Sequence, residues 1–275
     1  MNHSLNSSTS GGPDVLYAAS VTALLLVTPI NIYTLLLIVR GGLETITSEF
    51  YCLNLAVSDI LICFFCLFYV IGKHLQVFLT VSSFFLGFQN IARPLFQGCI
   101  CVERYLAVVH PLIFLRYKLL RYKIICCCVV WFITLGFCIS FIYYFLIQSV
   151  IFKVYQGFYT VLLTLMMFCC VSVLWALKQP GPAQGRSQRT EGNDAKRRAF
   201  NIIMITTGIF VIEYLPYGVL LFLYGYIKIK EYSFLFSIIL SLSIFAGVIN
   251  PLFFLQRAAK LPSLNLDIQR FMLRK

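Results

Sequence analysis

Seven stretches of the chain are each longer than the roughly 20 residues that a helix needs to cross a bilayer, and each is almost wholly apolar. They cover residues 16–39, 50–71, 77–102, 124–147, 154–177, 199–226 and 234–255. In hydrocarbon a backbone must satisfy its own polar groups, so stretches of this length fold as helices. A membrane β-barrel needs short alternating segments instead, and none is present. The expected fold class is an all-α membrane protein: a seven-transmembrane helix bundle forming one domain over residues 15–256. Only 12% of the residues are charged, against about 25% in a soluble protein.

The basic residues set the orientation. With the N-terminus outside, the outer loops hold Lys73, Lys153, Lys228 and Lys230, while the inner segments hold seventeen of the 22 Lys and Arg residues. The C-terminus is then inside. The net charge of +12 is a topology signal. It is spread over separate loops rather than one soluble face, which excludes nucleic-acid binding. Residues 1–14 form the outer tail, with glycosylation sequons at Asn2 and Asn6. Residues 179–194, rich in Gly and Pro, are a flexible third inner loop. Residues 257–275 form a short inner tail whose apolar and basic residues suit an amphipathic helix on the bilayer surface. All eleven cysteines fall within the spans, so an outer disulfide framework is not expected. No internal repeat of the kind that builds transporters is present.

Several motifs carry function. "LNLAVSDI" ends in Asp59, "CVERYLAVVHPL" closes the third span, Trp131 sits in the fourth, "FVIEYLP" in the sixth and "NPLFF" in the seventh. In order and depth this set resembles the rhodopsin-like family of G protein-coupled receptors over residues 15–260. The resemblance implies a receptor that binds an extracellular small or lipidic ligand and activates a heterotrimeric G protein. A chemosensory receptor of the same fold is the near alternative. A seven-helix transporter or channel is the distant one and would need a continuous polar path.

The resemblance also implies roles. Arg104 of the Glu103-Arg104-Tyr105 triplet engages the G protein and is held beforehand by Glu103. Asp59 is the acid of the receptor sodium pocket. Pro216 kinks the sixth helix, with Phe210 below it, and Asn250 and Pro251 form the hinge of the seventh. The sequence departs from the family pattern at Tyr214, where a tryptophan is usual, at Phe254, where a tyrosine is usual, and at Lys196, where many relatives hold an acid facing the arginine. The usual outer cysteine pair and the fifth-span proline are missing. These departures imply a divergent or weakly coupled receptor.

Two intramembrane charges demand partners. Arg93 precedes Arg104 by 11 residues, so both lie on about the same helix face, some 16 Å apart. An arginine at that depth costs at least roughly 3 kcal/mol unless paired. Asp59 lies at similar depth, so Arg93 is expected to pair with it and to replace the sodium ion. Removing Asp59 is then expected to strand a buried cation. Glu213 has three readings: a ligand anchor, a second partner for Arg93, or a protonated, hydrogen-bonded acid, of which the third is preferred. The ligand face on the outer half of the third helix offers Ser82, Ser83, Leu86, Gln89 and Asn90. An acid at Leu86 would mark an amine receptor, and none is there. Lys73 and His74 at the rim are read as an interfacial anchor rather than an anion site. No metal spacing, no cofactor motif and no nucleophile–base set is present, so the sequence reads as a non-enzyme whose partners are the bilayer, a ligand and a G protein.

Overall fold

In the computed structural model the described residues are 11–117, 119–142, 148–178, 208, 211–224, 226–249 and 251–252. They fold as helices: α1 (Gly12–Arg40), α2 (Gly42–Ser48), α3 (Phe50–Gly72), α4 (Val77–Gly87), a π-helical turn (Phe88–Ala92), α5 (Arg93–Val109), α6 (Pro111–Tyr117), α7 (Leu120–Ile142), α8 (Gln148–Lys178), α9 (Val211–Leu223) and α10 (Ile229–Ala246). Among the described residues, α1, α3, α7, α8 and α10 are long and apolar enough to cross a membrane. The helix α4, the π turn and α5 follow one another without a break from Val77 to Val109. Residues 199–207, part of the expected sixth span, and residues 253–255 of the seventh lie outside the described residues, as do 1–10, 179–194 and 257–275.

The distribution of polarity is that of a membrane protein. Large apolar side chains, including Leu25, Phe132, Val161 and Trp175, face outward, while Asn31, Ser58, Asp59, Arg93 and Thr134 are buried. In water this arrangement would leave a wide unstable apolar surface; in lipid the outward face is solvated and the buried charges Arg93 and Asp59 lie together inside the bundle.

The helix α1 packs on α3 and α10, α3 packs on α4 and α5, α4 packs on α7, and α5 packs on α8. Burial follows the helical period: Leu55, Asp59, Ile62 and Cys66 form the inward stripe of α3. Trp131 of α7 donates its indole N–H to Asn54 Oδ1 at 2.9 Å and lies against the rings of Phe88 and Phe96. Gly87 lets α4 approach α7 closely, since a Cβ there would run into Cys138.

The π turn has an identifiable cause. Pro94 has no N–H to give to the carbonyl of Asn90, and its ring crowds that carbonyl. The helix widens just before it, and the Arg93 amide donates to the Phe88 carbonyl, five residues back.

Candidate functional site

Arg93 stands where the π turn meets α5 and is fully buried. Its guanidinium serves three neighbouring helices. Nε lies 3.5 Å from Asp59 Oδ1 on α3. Nη2 lies 3.2 Å from Glu213 Oε1 on α9. Nη1 donates to the carbonyl of Ser243 on α10. The side chains of the three charged residues are 1–3% exposed. The Ser243 carbonyl is available because α10 ends early: the Gly247 amide bonds to Ile244 in a tighter turn, leaving the carbonyl one residue back without its helical donor. Asn31 of α1 reaches the same turn, with Nδ2 3.4 Å from the Gly247 oxygen. One planar cation with a fixed fork of donors thus joins four helices, which a lysine, a single point charge, cannot do.

Glu213 faces Arg93, in the position of the second of its three readings. The expectation that removing Asp59 strands the cation is corrected accordingly, because Glu213 remains.

A second polar cluster lies at the end of α5 that carries Arg104. Glu103 does not hold Arg104, contrary to the expectation. Its Oε1 lies 2.5 Å from Lys123 Nζ. Lys123 is buried and also donates to the carbonyls of Thr47 at 3.1 Å and Ser48 at 3.5 Å. These carbonyls close α2, and a lysine there satisfies groups that lack helical donors. The geometry is simple: adjacent residues on a helix point about 100° apart and do not face each other. Arg104 is half-buried and makes no ion pair among the described residues. Tyr105 Oη is 3.2 Å from His110 Nε2. Replacing Lys123 by methionine is expected to cost about 1.5–3 kcal/mol, the worth of hydrogen bonds to a charged group. The check is the thermal midpoint of purified protein, with Lys123→Arg as the variant that retains it.

The remaining candidates are dispersed. The hydroxyls of Ser82 and Ser83 both donate to the Leu79 carbonyl, at 2.8 and 3.0 Å, within their own helix. Leu86 is partly buried against the core, and Asn90 is buried. Pro216 is exposed on α9, and Pro251 is buried beyond α10. Lys73 lies outside its span and pairs with Asp14 at 2.9 Å. The hydrogen bond that Lys73 donates to Asp14 raises the Lys73 pKa. Asn2, Asn6, Lys196, Phe210, Asn250 and Phe254 lie outside the described residues.

Sequence reasoning missed a tyrosine cluster between α8 and α9. Tyr155, Tyr159, Tyr214 and Tyr217 are buried together, and Tyr159 Oη donates to the Tyr214 carbonyl at 3.0 Å. Its signal is the pair spacing, i and i+4 on α8 and i and i+3 on α9. Lys123 and the turn at Gly247 were missed as well. All eleven cysteines are free thiols.

A family model described as "7 transmembrane receptor (rhodopsin family)" matches residues 30–153 and 146–254. C-C chemokine receptor type 8 of Homo sapiens is 27% identical over 223 residues, covering 70% of this chain and 58% of that protein. Hydroxycarboxylic acid receptor 2 of Rattus norvegicus is 25% identical over 195 residues, with 62% and 52% covered. Hydroxycarboxylic acid receptor 1 of Mus musculus is 26% identical over 204 residues, with 62% and 54% covered. The matched part of the chain thus spans between half and three fifths of the length of these relatives.

Proposed function

Since the chain belongs to the rhodopsin family of seven-transmembrane receptors, we propose that it crosses the plasma membrane seven times with its N-terminus outside, binds an extracellular small or lipidic ligand, and activates a heterotrimeric G protein through the inner end of α5. It is a multi-pass membrane receptor and not an enzyme.

The observation that carries the coupling role is Arg104. It sits half-exposed at the end of α5 with no ion pair among the described residues, while its neighbour Glu103 is taken by Lys123. A guanidinium left in that state is free to bind backbone carbonyls or carboxylates of a partner. The ligand side is aromatic and apolar. Ser82 and Ser83 spend their hydroxyl hydrogens internally, so recognition there rests on shape and on Asn90.

The test is ligand-dependent G protein dissociation in cells expressing the chain. The compound panel starts with hydroxycarboxylic acids and chemokines, the ligands that give the relatives their names, and extends to lipids. No response with any G protein subtype, from a chain verified at the surface, overturns the reading.

Lys196 supports a further expectation. It stands where many receptors of this family hold an acid facing the third-helix arginine, and a like charge near water contributes a repulsion of about 0.5–1 kcal/mol. That biases a two-state equilibrium by roughly two- to fivefold toward the open form. Ligand-free signalling above mock-transfected cells is expected, lowered by Lys196→Glu. The check is basal second-messenger output at matched surface expression.

A further inference from the structure

We propose that the Asp59–Arg93–Glu213 cluster is a proton-binding site, which holds one exchangeable proton on the Asp59 carboxyl in the arrangement seen here. The inference needs only that the cluster lies inside the membrane, and does not depend on coupling to a G protein.

The charges do not balance. Two carboxyl groups face one guanidinium, and all three side chains are 1–3% exposed. Among the described residues the only other buried charged side chain is Lys123 on α7, paired with Glu103 toward the far end of α5. The groups facing the cluster from the neighbouring helices supply no compensating charge. They are Asn31 on α1, Cys63 on α3, Gln97 on α5, Tyr159 on α8, Tyr214 on α9 and the Ser243 carbonyl on α10. An uncompensated carboxylate in a medium of low dielectric takes up a proton rather than remain charged.

Geometry decides which carboxyl is neutral. Glu213 is the closer partner, at 3.2 Å against 3.5 Å, and the Gln97 side chain lies beside it. Among the described residues neither oxygen of Asp59 has a hydrogen-bond partner. A carboxylate offers four acceptor sites and suffers most from that isolation, whereas the neutral acid suffers less.

The proton is exchangeable because Arg93 can change partners. If α9 shifts so that Glu213 leaves the guanidinium, the positive charge falls to Asp59 alone. The Asp59 O–H bond then breaks, its electron pair stays on the carboxylate, and the proton passes to Glu213, the acid now left without a cation. Each arrangement therefore holds one proton, on Asp59 in the first and on Glu213 in the second.

The test uses the full chain and three variants. Asp59→Asn mimics the neutral acid and leaves Arg93 paired with Glu213. Glu213→Gln leaves Arg93 paired with an ionised Asp59. Each single variant is expected to keep surface expression within about twofold of wild type, while the double variant strands the cation and falls by about tenfold or more, the non-additivity of a shared partner. In purified protein the folded state holds a proton that an unfolded aspartate has released at neutral pH. Stability is then greatest at low pH and is lost as pH rises, by up to about tenfold in the folding constant per pH unit. That slope is expected to begin at about pH 4, where an unfolded aspartate ionises, to extend through neutral pH, and to vanish in Asp59→Asn.

Four results overturn the proposal. A single variant as damaged as the double means that both acids are ionised and both needed. A double variant no worse than the singles means that the cation needs neither. A pH slope that survives Asp59→Asn places the proton elsewhere. A midpoint raised at fixed pH by exchanging N-methylglucamine for sodium means that a metal ion, not a proton, balances the charge.

Discussion

Arg93→Met removes the receptor from the cell surface. Two carboxyl groups then face each other in the bundle with no cation between them, and the Ser243 carbonyl loses its donor. Taking one partner from a buried ionic network costs about 3–5 kcal/mol, a large part of the roughly 5–15 kcal/mol that holds most proteins folded. Surface expression of a tagged chain is expected to fall by about tenfold or more, the equivalent of more than about 1.4 kcal/mol. Arg93→Lys is expected to fall between, since an ammonium keeps the charge but cannot span α3, α9 and α10 together. The triple variant Arg93→Met, Asp59→Asn, Glu213→Gln restores neutrality and is expected to recover part of the loss. Wild-type expression of Arg93→Met would mean that the cluster contributes nothing to the fold.

Arg104→Ala abolishes G protein coupling without a matching loss of protein. Among the described residues Arg104 holds no ion pair and is half-buried, so its removal strands no buried charge, and the change in stability is expected to stay within about 0.5–1 kcal/mol. Coupling, measured as G protein dissociation at matched surface density, is expected to drop by about tenfold or more, since a charge-assisted contact is worth about 1.5–3 kcal/mol. Full coupling by the variant defeats the receptor mechanism proposed for α5. A loss of coupling that only tracks a loss of expression removes Arg104 from the mechanism and leaves it a structural role.

Much of this was legible from depth alone. A helix rises 1.5 Å per residue, so the level of Arg93 could be matched to that of Asp59 once the spans were set, and the Asp59 carboxyl lies beside the Arg93 guanidinium. What one chain's numbering does not carry is which other helix closes on the same level. Glu213 lies on a helix far away in sequence, and its meeting with Arg93 is a product of bundle packing. The Glu103–Lys123 pair was hidden for the same reason, while the expected hold of Glu103 on Arg104 could have been doubted from helical geometry, because neighbouring residues diverge. The role of Gly247 was illegible because it rests on where α10 stops. The tyrosine cluster was visible as spacing on each helix but not as a meeting of two helices.

The wide turn before Pro94 changes how positions above it should be counted. A π turn takes in one residue more than an α turn, so every side chain on the α4 side of Phe88–Ala92 is advanced by about one step, some 100° around the axis, relative to an unbroken helix counted back from Arg104. Five turns above Arg104 the numbering of a regular helix arrives at Leu86. With the extra residue, the place is taken by Phe85, whose ring lies among Phe64, Phe68, Phe84 and Phe88. Residue-by-residue comparison with receptors whose third helix is regular will therefore slip out of phase in the outer half, where ligand contacts are usually assigned. A gap of one residue placed in this turn brings the two back into phase.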